Sequence, residues 1–309
     1  MTRLEKASVV FACSAALVLT APGAAKAWNA GTHTYIAAEL HKGGAAPGAE
    51  LVARWWGANG PDLFNYVLAE PYLTAADYLH DYTGDNAAER LWRAAVATGD
   101  PVLMAYAYGF AAHDNAFAAD YTAHTDAVTG GLTNGYVIAK AEMLSALIGD
   151  SLPVAPEQLP LVSHLLVELG VDVLVAQELD RGIGQKLLAS IGADDRIGAL
   201  LASAFAEPLA GVFGGTDAAA GAILAMDAVY RTQIMPWYAS ALAQDDPFAG
   251  VATWISQAAA MMMGLDIPEA MAQQALAAAM DLCRGDYQRE LYATTGRVNA
   301  ALSKRHIVP

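Results

Sequence analysis

The stretch from Gly109 to Asp126, GFAAHDNAFAADYTAHTD, constrains this chain more than any other. Its Ala and Phe residues fill a helix well, so it reads as one continuous helix. His113, Asp120 and His124 follow one another at spacings of seven and four residues. On a regular helix those offsets return to nearly the same face. Two imidazoles and a carboxylate are common metal-ligand types. The expectation is a helix that forms the spine of a polynuclear zinc site, with the remaining ligands supplied by other parts of the chain.

The rest of the sequence favours packed helices around that spine. Hydrophobic residues make up 55% of the 309 and charged residues only 16%, which suits a large core rather than disorder. No alternating strand pattern persists, and no fixed-period repeat is evident. The formal charge is −15, and no Lys/Arg run occurs. That argues against a surface that tracks duplex nucleic acid, but it leaves a small phosphate ester held by metal ions open.

The first 27 residues read as a secretory signal. Arg3 and Lys6 precede an apolar run from Ala7 to Thr20, and Ala25-Lys26-Ala27 is a small-x-small cleavage site. The run is short for a membrane span. Cleavage would make Trp28 the new N-terminus of a secreted or periplasmic protein. It would also leave Cys283 as the sole cysteine, so no internal disulfide is expected.

Taken in order, His33 opens an amphipathic helix in WNAGTHTYIAAEL. Alone it would suit a capping or surface role. A second helix is expected over Ala49 to Trp56, followed by the breakers of WGANGPD, where Asp62 would suit an N-cap. His80 falls near the end of the next helix, and another helix covers Ala87 to Ala97. Asp100-Pro101 opens the central helix and Thr129 to Asn134 closes it. Helices resume from Gly135 to Ile148, with a proline-marked connection before LVSHLLVELGVDVL. There His164, Glu168 and Asp172 repeat every four residues on a strongly apolar helix. Such groups are costly on a buried face unless paired or bound to metal; a buried ion pair is the competing explanation. Beyond Asp180 the chain stays helical, broken at Gly182, Gly192, Gly214, Pro236, Pro247 and Pro268. The apolar run Trp254 to Leu265 suits a buried helix, with a lipid-touching face as the alternative. The expected organisation is a signal over 1–27, a zinc-binding region over 28–180 and a helical region over 181–309 packed on it, as one continuous domain.

Five of the seven histidines, His33, His80, His113, His124 and His164, lie beside carboxylates or breakers in the first half. His41 and His306 sit in polar surroundings and suit the surface. Each of the five is easily explained alone; together they are best explained by a shared metal centre.

The ordered series of a Trp directly after the signal, GTHTYIA, GPD, LHDY, GFAAH and HLLVE resembles the zinc-dependent phospholipase C family, related in fold and site to S1/P1-type nucleases. The resemblance covers about residues 28–180. It implies an all-α, compact multi-helix bundle, up to three zinc ions and hydrolysis of a phosphodiester by zinc-activated water. By match, Asp62, His80, His113 and Asp120 would hold one zinc. His124, His164 and Glu168 would hold a second. The Trp28 amine and carbonyl, His33 and Asp120 would hold the third. Asp62 would also serve catalysis by orienting or deprotonating the attacking water. A phospholipid is the implied substrate, with transient contact at a membrane surface and no duplex nucleic acid as partner. A single-strand nuclease or nucleotidase, or a non-catalytic zinc-binding relative, is the alternative.

The chain departs from the family pattern at one place. The acid is expected four residues after the first histidine of the central helix, where this sequence has Phe117. Asp120 would lie about 10 Å further along a regular helix, whereas each zinc–ligand bond is only about 2 Å. Asp114 would point about 100° away. Either the helix is irregular, or His113 and Asp120 do not share an ion.

Overall fold

Aspartate–proline pairs show how the sequence starts its helices. Asp100 accepts hydrogen bonds from the Val102 and Leu103 amides with Pro101 in the first turn, and Asp246 does the same for Phe248 and Ala249 ahead of Pro247. Each carboxylate satisfies amides that have no partner within the helix, and the proline gives up no needed donor there. Asn86 caps the Ala87–Thr98 helix in the same way, and Gly99 ends it in the left-handed conformation.

The computed structural model describes residues 28–40, 48–67, 69–80, 84 and 86–308. All regular structure among them is helical. The proposed signal over 1–27, His41 and most of the turn after His80 lie outside the described residues. The expected helices are found at Ala30–Glu39, Gly48–Gly57, Tyr72–Leu79, Ala87–Thr98, Tyr136–Ile148 and Leu159–Leu174. Asp62 sits in a short 3-10 turn, Pro61–Phe64, and His80 caps the C-terminus of Tyr72–Leu79.

Two helices cross at a pair of glycines. A Cβ on Gly57 would overlap the Tyr106 carbonyl, and one on Gly109 would overlap the Arg54 carbonyl. The Gly48–Gly57 and Pro101–His113 helices therefore pack backbone to backbone. This close approach brings the Ala58 carbonyl within 2.9 Å of His113 Nδ1.

The second half packs directly on the first. The Glu269–Arg284 helix lies along both Leu159–Leu174 and Tyr136–Ile148. From the last helix, Tyr287–Lys304, the buried Glu290 accepts hydrogen bonds from the Val128 and Thr129 amides and from the Thr129 hydroxyl. The Thr294 hydroxyl meets that of Thr122 at 2.8 Å. The segment carrying His124 is thus held from the C-terminal helix. The span Leu159–Leu179 has the length and apolarity of a membrane-crossing helix, yet most of it is buried inside the bundle.

Two expectations change. Trp254 to Leu265 is not uniformly buried: Trp254 and Ile255 are half-buried and Met261 is 48% exposed, because the Pro247–Ala258 helix lies at the surface and runs into a π-turn at Ala259–Met263. The second correction concerns the central helix itself, which bears on the site.

Candidate metal centre

The sequence predicts one helix through Gly109–Asp126, but the chain forms two. The first runs Pro101–His113 and the second, Ala119–His124, is short. Asp114 makes the break. Its backbone leaves the helical region at φ −23° and ψ 132°, and its Oδ1 accepts the amides of Ala116 and Phe117 at 2.7 and 3.0 Å. An aspartate that bonds nearby amides competes with helix continuation. Phe117 therefore occupies a link, with the Arg305 guanidinium 3.7 Å over its ring, and it does not stand one turn after His113.

The break removes the spacing conflict. Asp120 Oδ2 lies 3.0 Å from His113 Nε2, and Asp120 Oδ1 lies 3.2 Å from His33 Nε2. The Trp28 backbone nitrogen donates to the same Oδ1 at 3.3 Å, and the Trp28 indole donates to the Ala119 carbonyl. Asp120 stands at the centre of a buried group that also contains His80 and Asp62. His80 Nε2 is 3.3 Å from Asp62 Oδ1 and 3.3 Å from His113 Nε2. His80, His113 and Asp120 converge tightly enough to hold an ion, as do His33, Asp62 and His113. His33 is thus placed between the two ligand sets expected for this region.

A second group comprises His124, His164 and Glu168. His164 Nε2 and Glu168 Oε1 are 2.8 Å apart, one helical turn from each other, and the His124 and His164 rings stack at 5.3 Å. Gly135 allows the following chain to pass against the His124 backbone, where a Cβ would overlap it.

Backbone carbonyls orient several of these imidazoles. His113 Nδ1 faces the Ala58 carbonyl at 2.9 Å and His80 Nδ1 faces the Ala76 carbonyl at 2.8 Å. In the second group, His124 Nδ1 faces Asn115 Oδ1 at 3.3 Å. When each Nδ1–H donates outward, the neutral ring turns an Nε2 lone pair inward, which is how metal-binding histidines are commonly held. Asn65 plays the matching part for a carboxylate, donating to Asp62 Oδ1 at 2.5 Å.

His124 Nε2 is buried without a hydrogen-bond partner, whereas His33 Nε2 and Asp120 Oδ2 have other members of their own group, Asp120 Oδ1 and His113 Nε2, within 3.2 Å and 3.0 Å. Buried polar atoms are normally satisfied; Ser163 Oγ and Trp254 Nε1 are among the other buried atoms left without a partner, so this observation is compatible with a metal site without being particular to it. By their convergence, several buried His, Asp and Glu groups could hold metal.

The charge states follow from burial and neighbours. Burial pushes His113 down, but the Asp120 and Asp62 carboxylates outweigh it and raise it to about 9. Burial works upward on Asp120, yet His113 and His33 hold it well below the usual carboxylate range. Burial, with His113 alongside, keeps His33 low, and burial keeps His124 far below the normal histidine value. Burial lifts Glu168 to about 7 against the pull of His164. His113 in the first group and His124 in the second are thus shifted in opposite directions.

Sequence reasoning did not find Asn65, Asn115 or the carbonyls of Ala58 and Ala76. A backbone carbonyl has no side-chain signature, and the two asparagines read as turn residues. His306 is exposed, in keeping with the surface role expected for it. No family model, curated protein or solved structure matches this chain.

Proposed function

We propose that this chain is an exported, zinc-dependent phosphodiesterase of the phospholipase C type. The observation that carries this reading is the convergence of imidazole nitrogens and carboxylates around Asp120 and at His124, His164 and Glu168, with His124 Nε2 left without a hydrogen-bond partner. Asp62, His80, His113 and Asp120 would hold one ion, and His124, His164 and Glu168 a second. Trp28, His33 and Asp120 would hold the third. His and carboxylate donors with no thiolate suit zinc. Zinc bound there would supply Lewis acidity at a phosphoryl oxygen and acidify water toward neutral pH.

The chain's own residues would do the rest. The carbonyls of Ala58 and Ala76 fix the rings of His113 and His80. Asn65 engages Asp62 Oδ1, so Oδ2 is the atom that would orient the attacking water and take its proton. Three divalent ions held against Asp62, Asp120 and Glu168 would leave a local positive field in an acidic protein. With 17 basic residues against 32 acidic ones, contacts for a long polyanion are sparse, which favours a lipid ester over nucleic acid.

The test is one panel on zinc-replete protein beginning at Trp28: phosphatidylcholine, a soluble phosphodiester, and single-stranded DNA and RNA. Release of diacylglycerol from the lipid is expected. Turnover of nucleic acid alone would overturn the lipid reading, and silence on every substrate with zinc bound would overturn the enzymatic one.

A further inference from the structure

Asp172 is a buried carboxylate close to the centre that the reading above does not use. It is fully buried and lies four and eight residues beyond Glu168 and His164 on the same helix. Its Oδ1 accepts the Thr32 amide and the Thr32 hydroxyl, each at 2.6 Å. Its Oδ2 accepts the Gly31 amide at 2.8 Å and the Tyr238 hydroxyl at 2.6 Å. All four donors meet one carboxylate, and two are amides of the first turn of Ala30–Glu39, the helix that carries His33. The approach is close enough that a Cβ on Gly31 would overlap Asp172 itself.

We propose that Asp172 is a positioning residue that fixes His33 against Asp120. The Leu159–Leu174 helix then carries two ligands of one metal group and the anchor of the other. The inference rests on the metal reading above. It follows from the chemistry of the contact: a carboxylate on the orphan amides of a helix start fixes where that helix begins and how it is turned. His33 is the next residue after Thr32, so the anchor sets the approach of its ring. Tyr238, from the Met235–Leu242 helix, closes the fourth contact and ties the second half of the chain to this arrangement.

A purely structural anchor would lower stability without sorting between ions, so the readout is metal occupancy. Zinc per chain and zinc affinity are measured on protein beginning at Trp28 for the wild type and for Asp172→Asn. Cobalt-substituted absorption reports the two groups separately. Asparagine puts an N–H where Gly31 and Tyr238 also donate, so the anchor is broken with little change of shape. The expected result is a loss of about 10–100-fold in affinity for the ion that needs His33, with the ion at His124, His164 and Glu168 retained. His33→Ala should cause at least that loss at the same ion, and adding Asp172→Asn to it should cost little further. If Asp172→Asn fails to fold, Thr32→Val, which removes only the hydroxyl donor, should weaken that ion selectively, and Thr32→Ser should restore it. Equal affinity at both groups in these variants would overturn the inference while leaving the metal centre standing. Absence of metal from the wild type would overturn both.

Discussion

The group around Asp120 and the group around His164 use the same side chains but are built in opposite ways. The second takes His164 and Glu168 from one turn of one helix, an arrangement that helical spacing supplies directly. The first draws Trp28, His33, Asp62, His80, His113 and Asp120 from five separate segments. Its geometry depends on the glycine crossing, on the break at Asp114 and on the anchor at Asp172. The second group thus has two of its three members encoded by one helical turn, with His124 brought in from the Ala119–His124 helix, while the first is a product of the whole fold. Disturbing the fold should therefore disable the first before the second.

The sharpest way to break that contrast is to remove its central carboxylate. Asp120→Ala is expected to empty the first group, leave the ion at His124, His164 and Glu168, and lower turnover by more than the roughly 100-fold typical of losing a partner of a ligand. Metal analysis with steady-state kinetics checks it. Equal loss from both groups would show that they form one unit.

A smaller effect tests the dependence on the fold. Gly109→Ala forces a Cβ into the Arg54 carbonyl, and overpacking of this kind destabilises by about 1–3 kcal/mol. Thermal melting should show that loss, and zinc titration of the folded variant should show weakened binding at the first group only. Unchanged affinity at the first group would mean that the crossing does not set its geometry.

The partners of the ligands offer a balanced pair. Asn65→Ala should affect the first group and Asn115→Ala the second, each by about 10–100-fold in affinity, as read by competition with a chelator. A swapped pattern would contradict the grouping.

A further difference is in pH. Metal must displace the proton from any ligand that carries one. His113 is raised to about 9, so binding at the first group should strengthen as pH rises from 7 to 9, by up to about tenfold per unit. Glu168 is raised to about 7 and His124 is held low. The second group should therefore respond mainly below pH 7, where Glu168 takes up its proton. Calorimetry in buffers of different ionisation enthalpy would register proton release at the first group between pH 7 and 9 and little at the second.

The contrast also explains what the sequence could tell. The all-helical class and most helix limits were legible because Pro, Gly and Asp punctuate an otherwise Ala- and Leu-rich chain. His164 and Glu168 stood out because an apolar helix rarely buries such a pair without use for it. The first group was legible as residue types but not as geometry. The seven-residue step from His113 to Asp120 looked like an obstacle, because helix-forming Ala residues on both sides hid the break that Asp114 makes. Asp172 was visible as the third charge of an apolar face, but its partners Gly31 and Thr32 lie about 140 residues away, and nothing local points to them.

The most direct measurement is anomalous scattering at the zinc edge on crystals of zinc-soaked protein beginning at Trp28. Peaks in both groups are predicted, with Asp120 bridging ions in the first and an open position on at least one ion. A single ion enclosed by four protein ligands, or no peak within reach of Asp120, would contradict the account.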